Sequence, residues 1–570
     1  MKKHKAVRYL DLNPAAASGG GVSAAGALSP QRFRPHTELE TLRILKQASI
    51  DKKLSGVVIN TSGFSGSRSF LWEMQKAVEI CKNAGKKIIA YFDNADLDLY
   101  CLVSAADKIV MDEGGILSFL GYSWGRFFAK ETLDKLGIGF RELRYLTYKS
   151  ANETFSRTAI SEADKEQYGI YLDEIFDLTK KTIINNRPLS EESFNNLLNK
   201  GILLSPAEAK NRGLVDVLGR EEAVRETIEK LEFEEPEPDT EKKERVTAAQ
   251  GSVFFVTAGN TARSLFSHNR KTPGYSTGRA GFRPPEISVI HARGNTDLEQ
   301  GMGARNILKI IREQAEKPRV KALIIRIDSP GGSAVAADYL SEAILEAKKE
   351  MSVVVSMGHV AASGGYWAAM NANHITASPY TLTGSIGVIG GWFFDKGLNA
   401  KLGLGFESLT RGEHADLAAG IILPKRDLSE DEEEQFRVCL LDLYAEFVKK
   451  AAKGRNMKNE DMEPLAQGRV YSGLHAQKLT LIDSLGGYLD AIETAKRLAN
   501  IPLAKKIRIR EYPKPRFFEN ITAKVLSSSE IYKLKTQALN FASASGLMPE
   551  LLYRLSNNGK IMPVLPLTFM

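Results

Sequence analysis

Two serines in the second half of the chain lie in glycine-rich segments that could expose a nucleophilic hydroxyl. Ser385 stands in TLTGSIGVIG at 381–390, with a glycine directly before it and another two residues after it. Because glycine has no side chain, the backbone there can bend sharply and a substrate chain can approach the hydroxyl closely. Ser363, in AASGG at 361–365, is a rival candidate. The pattern Gly-Ser-x-Gly is also common in ordinary turns, so alone it does not identify a nucleophile.

A serine nucleophile needs a base, and in this sequence a lysine is the candidate. None of the eight histidines stands in a catalytic motif or pairs with another at metal-ligand spacing, so no metal site is predicted. Lys149 follows an apolar run in LTYKSA at 146–151 and precedes a long helical pattern. Burial lowers the pKa of a lysine, so a buried Lys149 could take a proton from a hydroxyl. Considered alone, Lys149 has the ordinary alternative of a surface lysine.

The segment DSPGGS at 328–333 could bind negative charge that develops during a reaction. Gly331 and Gly332 allow backbone conformations that are closed to other residues, so adjacent N–H groups can point toward one oxygen. Such donors stabilise the oxyanion of a tetrahedral intermediate, and the loss of one costs roughly 100- to 1,000-fold in rate. A plain turn between a strand and a helix is the alternative.

An internal repeat bears on these candidates. At an offset of 266 residues the two halves of the chain align without a gap from Gly56 to about Ser150, and positions 56–67 fall on 322–333. In both copies this segment is an apolar, β-rich run closed by a turn of glycine and serine. A constant offset over some 95 residues predicts one fold that has been duplicated.

The two copies differ in the residues that could do chemistry. Ser385 falls on Phe119, so the first half has no serine there. Lys149 falls on Ala415, or on Leu417 if a later two-residue insertion is placed early, so the second half has no lysine there. Each half lacks what the other supplies, which predicts one site assembled from two degenerate copies.

Within each half the hydrophobic pattern alternates between strands and helices. Short apolar runs such as 322–327 are followed by helical patterns such as 334–349, which indicates βαβ units with a largely parallel, buried sheet. A long helix follows in each half and begins with a capping box, at 161–164 and at 429–432. The predicted fold class is α/β, with two tandem domains.

The linker between the halves is rich in proline, glutamate and lysine and continues into a polar, glycine-containing stretch. The predicted organisation is a flexible N-terminal segment at 1–40, a first domain supplying the lysine at 41–233, a linker at 234–285, a second domain supplying the serine at 286–512, and a C-terminal tail at 513–570.

Composition excludes several classes of protein. The 77 Lys and Arg against 69 Asp and Glu give a net charge of +8, but these charges are spread along the chain, so no nucleic-acid partner is expected. The three cysteines are too few and too scattered for a disulfide framework or a zinc site. No window approaches the roughly 18 apolar residues of a transmembrane helix, and the N-terminus has no apolar core typical of a signal peptide.

Four stretches together resemble one known family. They are LTYKSANETFSRTAIS, IIRIDSPGGSAVAA, MGHVAASGGYWAAMNAN and SPYTLTGSIGVIGG, in this order. They look like the long, two-domain form of signal peptide peptidase A, also called protease IV. The resemblance extends from about residue 50 to about residue 510.

This resemblance implies a fold and a set of catalytic residues. The fold would be tandem duplicated crotonase-like (Clp protease-like) domains, with a serine-lysine dyad. The family's serine falls on Ser385 as nucleophile and its lysine on Lys149 as general base, and N–H groups near Gly331 and Gly332 would form the oxyanion hole. Ser363 matches the position of the nucleophile in the related Clp proteases and is the second choice.

The resemblance also implies an activity and partners. Members of the family are serine endopeptidases that cut apolar stretches of peptides, such as signal peptides left in membranes, and they need no metal or organic cofactor. They assemble into homo-oligomers, which are tetramers in the long form. Many relatives carry a membrane anchor that is not recognised in this sequence, so a cytoplasmic location and a peripheral association with membranes both stay open.

Two other functions are compatible with parts of the pattern. A crotonase-like acyl-CoA hydratase or hydrolase would use the same Gly-Gly oxyanion hole but would not need Ser385 or Lys149. A catalytically inactive oligomeric scaffold would keep the assembly and lose the chemistry. The presence of both Ser385 and Lys149 favours the peptidase.

Overall fold

Two compact units make up the computed structural model, which describes residues 5–14, 37–233, 251–257 and 284–513. Unit 1 consists of the described residues of Met1–Tyr122 and Ile175–Phe282, and unit 2 consists of those of Ser123–Glu174 and Arg283–Met570. In the described part of the chain no helix is long and apolar enough to cross a membrane.

The elements of the first half are as follows: β1 (Lys5–Leu12), α1 (Glu38–Ile50), β2 (Gly56–Asn60), α2 (Arg68–Asn83), β3 (Lys87–Ala95), α3 (Leu97–Val103), β4 (Lys108–Ser118), α4 (Lys130–Leu136), β5 (Ile138–Leu143), α5 (Glu153–Ser156), α6 (Glu162–Asn186), α7 (Glu191–Lys200), β6 (Leu203–Leu204), α8 (Pro206–Asn211), β7 (Val217–Leu218), α9 (Glu221–Phe233) and β8 (Gly251–Thr257).

The elements of the second half are as follows: β9 (Glu286–Arg293), α10 (Ala304–Ala315), β10 (Val320–Ser329), α11 (Ala334–Glu350), β11 (Ser352–Ala362), α12 (Gly364–Ala369), β12 (His374–Ala377), β13 (Leu382–Gly384), β14 (Gly390–Asp395), α13 (Leu398–Lys401), α14 (Glu430–Gly454), α15 (Asn459–Met462), a 3₁₀ turn (Glu463–Leu465), β15 (Val470–Ser472), α16 (Gly473–Lys478), β16 (Ser484–Leu485), α17 (Tyr488–Leu498) and β17 (Arg508–Tyr512).

Each unit contains one large sheet, and the two sheets have the same topology. In unit 1 the strand order is β6-β4-β3-β2-β1-β8, with β7 paired to β4. In unit 2 it is β15-β13-β11-β10-β9-β17, with β12 and β16 joined beside β11. In both units the central strands are parallel. The pair β4–β6 in unit 1 and the pair β13–β15 in unit 2 are antiparallel. The duplication predicted from the constant offset is therefore present in the fold.

The central strands of unit 2 are buried on both faces, which explains their nearly continuous apolar sequence. In β10 the side chains from Ala322 to Ile327 are all at most 2% exposed, and α11 begins at Ala334 with Ser333 as its N-cap. This burial fixes the register of the strand, and the register fixes where the DSPGGS loop leaves the sheet.

The two predicted capping boxes differ. At α14 the box is complete, because the Ser429 hydroxyl accepts from the Glu432 N–H at 3.2 Å and the Glu432 carboxylate accepts from the Ser429 N–H at 2.8 Å. At α6 the Ser161 hydroxyl accepts from the Asp164 N–H at 3.2 Å, but the Asp164 carboxylate contacts other groups. The Asp164 carboxylate is instead bound to Ser150 and Arg126, so it does not close the box.

The structure differs from the predicted segment boundaries at three places. β1 lies in the segment expected to be flexible, and β8, in the predicted linker, pairs with it in parallel. Residues 123–174, predicted in the first domain, belong to unit 2, where β5 pairs antiparallel with β14. β8 is a short apolar run within a polar stretch, so its sequence gives little sign of a strand. The pairing of β5 with β14 joins segments some 250 residues apart, which local sequence patterns do not predict. The tail from 514 to 570 lies outside the described residues.

Candidate active site

The DSPGGS loop connects β10 to α11 in a conformation that requires glycine. Gly331 and Gly332 have φ angles of 106° and 150°, which L side chains rarely adopt. Thr296, in the loop after β9, anchors the segment: its N–H donates to Gly331 O, and its carbonyl accepts from the Ser333 N–H, both at 2.7 Å. These bonds do not use the Gly332 N–H.

Ser363 lies at the turn between β11 and α12. Its φ of 56° and ψ of −116° are unusual for a residue with a side chain, and such strain often marks a functional position. A hydrogen bond of 2.8 Å from its N–H to Gly384 O holds the backbone in place. A Cβ on the next residue, Gly364, would lie 3.2 Å from Gly331 Cα and 3.3 Å from Gly332 N. The backbone after Ser363 therefore packs against the DSPGGS loop.

Ser385 follows β13 and is strained in the same way. Its φ is 52°, and its N–H donates to Arg469 O at 2.6 Å. The neighbouring Gly384 packs against Tyr471, and Gly387 packs against Gly468. The glycines around Ser385 therefore allow close packing against the segment just before and within β15.

The Lys149 side chain contacts both candidate serines. Its Nζ lies 2.7 Å from Ser363 Oγ, 2.9 Å from Ser385 Oγ and 3.0 Å from Ser385 O. All three residues are at most 1% exposed. Removing an amine from water disfavours its charged form, so burial of this kind is what a lysine base requires. The structure thus places both candidate nucleophiles on the same candidate base.

A buried polar network holds the backbone next to Lys149. The Arg126 guanidinium donates to Ser150 O and pairs with Asp164, with Nη2 to Oδ2 at 2.7 Å, and both side chains are fully buried. Asp164 also accepts from Ser150 Oγ and, at 2.8 Å, from Gln167 Nε2. Burial raises the pKa of Asp164, and Arg126 opposes that shift. The network fixes the segment that carries Lys149.

Gln167 links this network to the other side of the site. Its side chain donates to Tyr148 O at 3.1 Å and accepts from the Val470 N–H at 3.1 Å. The Tyr148 N–H in turn donates to Gln467 O at 3.0 Å. The segment before Lys149 is therefore held by α6 on one side and by the approach to β15 on the other.

Thr296 has a buried hydroxyl beside the DSPGGS loop. Thr296 is 0% exposed, and its Oγ1 has no hydrogen-bond partner among the described residues. A Cβ on Gly364 would lie 2.6 Å from this oxygen. An unsatisfied buried hydroxyl is costly, so this oxygen, beside Gly364 and Gly332, is a candidate to bind a ligand.

Sequence reasoning did not find Arg126, Gln167 or Thr296. Their positions depend on contacts between segments that are far apart in the chain. Thr296 stands in an ordinary polar loop, and only the hydrogen bond from its N–H to Gly331 O shows that it lies beside the DSPGGS loop. Of the five predicted site residues, Lys149, Ser363 and Ser385 meet directly, and Gly331 and Gly332 lie beside the residue that follows Ser363. Their catalytic roles stay predictions.

Comparison with known proteins identifies the class of the chain. The sequence profile described as Peptidase family S49 matches residues 80–233 and 346–502, one match in each half. The chain is 31% identical over 478 residues to the chloroplastic serine protease SPPA of Arabidopsis thaliana, covering 82% of this chain and 67% of that protein. It is 28% identical over 480 residues to Protease 4 of Salmonella typhi, covering 83% and 74%.

A solved structure of ClpP1 from Listeria monocytogenes also matches, with 14% identity and a TM-score of 0.23, covering 35% of this chain and 92% of that one. The fold, the two matches and the relatives define a serine-type peptidase. The chain belongs to peptidase family S49. The predicted fold class, tandem duplicated crotonase-like (Clp protease-like) α/β domains, is confirmed.

Proposed function

We propose that this peptidase uses Lys149 as general base and Ser363 as nucleophile, with Ser385 orienting the lysine. The contact of one buried amine with two serine hydroxyls carries the proposal. A neutral amine has two N–H donors and one lone pair. Ser385 O can only accept, so it takes one N–H, and the Ser385 and Ser363 hydroxyls take the other donor and the lone pair.

The choice of Ser363 over the sequence's first choice, Ser385, rests on the candidate oxyanion hole. In hydrolases with a strained nucleophile turn, the N–H of the residue after the nucleophile donates to the oxyanion together with an N–H from another loop. Gly364 follows Ser363, and its Cβ position lies 3.3 Å from Gly332 N. The Thr296 hydroxyl lies 2.6 Å from the same Cβ position and is a further candidate donor. Around Ser385 the neighbouring groups are different: its own N–H donates to Arg469 O at 2.6 Å, and the Cβ position of the preceding Gly384 lies 2.7 Å from Tyr471.

The reaction then proceeds in two steps. Lys149 Nζ takes the proton of Ser363 Oγ, and Oγ forms a bond to the scissile carbonyl carbon while the carbonyl oxygen is held by the N–H groups of Gly332 and Gly364. The ammonium of Lys149 returns the proton to the leaving amine as the C–N bond breaks. A water molecule then attacks the acyl-enzyme while Lys149 Nζ takes its proton, and the ammonium returns that proton to Ser363 Oγ as the ester bond breaks.

We propose apolar peptide segments, such as remnant signal peptides, as substrates, and a homotetramer as the assembly. The sequence resemblance supports both. Unit 2 also exposes apolar side chains between α13 and α14, with Leu409 98% exposed and Ile422 53% exposed, as an interface with a second copy would require. Light scattering of the purified chain gives the mass directly, and a monomeric mass would overturn the assembly.

The nucleophile is tested by combining kinetics with covalent labelling. A fluorogenic peptide with a small or apolar P1 residue is hydrolysed by the purified chain and by the variants Ser363→Ala, Ser385→Ala and Lys149→Met. We expect kcat to fall by at least roughly 10⁴-fold in Ser363→Ala and Lys149→Met, and by a smaller factor in Ser385→Ala. Ser341→Ala is the matched control, because Ser341 is buried in α11 and its hydroxyl accepts from Asn371.

A serine-directed fluorophosphonate then shows which oxygen reacts. Mass spectrometry should find the label on the peptide that contains Ser363, and Lys149→Met should label slowly. A label on Ser385 would restore the sequence's first choice of nucleophile. Normal turnover by Lys149→Met would refute the dyad, and no turnover by the unaltered chain would favour the inactive scaffold.

A further inference from the structure

Unit 1 contains a cleft of about 410 Å³ at the carboxyl ends of its central strands. Its lining includes Phe64, Gly66, Asp96, Ile116, Ser118 and Leu203, and we refer to this site as the unit 1 cleft. These residues follow β2, follow β3, or belong to β4 and β6. In α/β proteins ligands bind at this end of a parallel sheet.

The unit 1 cleft is the counterpart of the candidate active site in unit 2. At the offset of 266 residues Ser65 and Gly66 fall on Gly331 and Gly332, and Ser118 falls on Gly384. The sheet pairings agree, because Ala95 pairs with Leu117 in unit 1 and Ala361 pairs with Thr383 in unit 2. The repeat has therefore retained a cleft where the other copy has its candidate site.

The same comparison shows that the unit 1 cleft lacks a nucleophile at either serine position. Leu97 stands at the offset position of Ser363, and Phe119 stands at that of Ser385. Both side chains are buried, at 2% and 0% exposure. A polypeptide bound in this cleft would meet no counterpart of either serine and would not be cut by that chemistry.

The side chains of the unit 1 cleft indicate what it would hold. Ile116 is 45% exposed and Leu203 is 58% exposed, and both face the cleft. Asp96 is an exposed residue of the lining whose carboxylate accepts from the Leu99 N–H at 2.8 Å through Oδ1, and none of the lining residues is a lysine or an arginine. This combination fits apolar side chains together with a positive charge. β6, which carries Leu203, is the first strand in the sheet order, so an extended chain can run alongside it.

We propose that the unit 1 cleft binds an extended apolar polypeptide segment that carries a basic residue, and holds it without cleaving it. The occupant belongs to the substrate class of the proposed peptidase, so this inference rests on the proposed function. It adds a second peptide-binding site to each chain.

Binding to the unit 1 cleft is measured on the full chain with its catalytic serine blocked by the fluorophosphonate. The probe is a fluorescein-labelled peptide of twelve leucines and alanines with one central lysine, followed by anisotropy. We expect saturable binding with one peptide per chain. Leu203→Asp and Ile116→Asp should each weaken it at least tenfold, whereas Leu503→Asp, at a leucine of unit 2 that is 55% exposed, should not.

Two further measurements separate the outcomes. Asp96→Asn should reduce the preference for the lysine peptide over one with glutamine at the same position, which a purely structural effect would not do. Unblocked Leu203→Asp should hydrolyse the short fluorogenic peptide at the normal rate, which shows that the variant is folded and that the peptidase assignment holds. Absence of saturable binding, or equal binding by the chain and Leu203→Asp, would overturn the second site and leave the proposed function intact.

Discussion

Replacing Gly468 by alanine should displace Lys149 without removing any catalytic group. Gly468 precedes β15 and has a φ of 80°, in the left-handed region. A Cβ at this position would lie 2.6 Å from Lys149 Cβ and 2.7 Å from its Cα and N. The nearest atoms include the backbone of the candidate base, so the clash cannot be relieved by rotation of a distant side-chain group.

The size of the effect follows from these distances. Ordinary van der Waals contact begins near 3.4 Å, so the two backbone segments must separate by about 0.7 Å. Lys149 Nζ lies 2.7 Å from Ser363 Oγ, and a misplacement of about 1 Å can cost roughly 100-fold in rate. The left-handed φ adds about 1–2 kcal/mol of strain for a residue with a Cβ. We expect kcat to fall roughly 100-fold with little change in KM.

Gly403→Ala is the matched control for this substitution. Gly403 has a φ of 68°, so alanine there meets the same kind of backbone strain, but a Cβ would have nothing within 4 Å. Both variants are compared by hydrolysis of the fluorogenic peptide and by thermal unfolding. Both should lose stability, and only Gly468→Ala should lose turnover. Unchanged kcat in Gly468→Ala would refute the inference that Gly468 positions the lysine, as would an equal loss in Gly403→Ala.

Substitutions at three further positions test the buried Arg126 network, the Thr296 hydroxyl and the ion pairs of Arg426. Arg126→Gln leaves Asp164 buried without its guanidinium, which should cost about 3–5 kcal/mol in unfolding experiments at pH 7; the cost should shrink as the pH falls and Asp164 is protonated. Thr296→Val removes an unsatisfied buried hydroxyl, so kcat should fall roughly 100-fold while thermal stability is kept or raised, and Thr296→Ser should retain activity. Hydrogen bonding to Arg426 lowers the pKa of Asp416 to about 2, so Arg426→Gln should destabilise the chain above about pH 4 and by a decreasing amount below it, as pH-dependent unfolding would show.

The outcomes that would contradict these expectations are equally specific. A pH-independent loss in Arg126→Gln would mean that Asp164 does not carry the uncompensated charge. Lower stability in Thr296→Val would mean that its hydroxyl has a structural partner. A destabilisation of Arg426→Gln that persists undiminished at pH 2 would mean that Glu432, which also accepts from Arg426 at 2.7 Å, rather than Asp416, is the partner that matters.

The sequence predicts the parts of the site that local patterns encode. The DSPGGS loop, the strand before it and the helix after it are a single continuous signal, because each uses residues with strong local preferences. The candidates Lys149, Ser363 and Ser385 also stand in recognisable segments. The sequence does not show which of the two serines lies beside the candidate oxyanion hole, because that depends on which glycine turn packs against Gly332. That contact joins segments some 30 residues apart and has no periodic signature.

The supporting residues illustrate the same limit. Asp164 reads in the sequence as part of a capping box, and only its burial beside Arg126 shows that its carboxylate faces the lysine segment instead. The assignment of residues 123–174 to unit 2 likewise depends on the pairing of β5 with β14. Long-range pairing of this kind is decided by packing, which local propensity does not determine.

The two copies of the fold differ at the positions of the strained serines. Ser363 and Ser385 both have positive φ angles, at a cost of order 1–3 kcal/mol each. At the equivalent positions of unit 1, Leu97 and Phe119 are not among the described residues with positive φ. Phe119 packs instead against the rings of Tyr100 and Phe194, at centroid distances of 5.4 and 5.9 Å. The fold itself therefore needs neither the strain nor the hydroxyls, so their retention around Lys149 in unit 2 is best explained by chemistry.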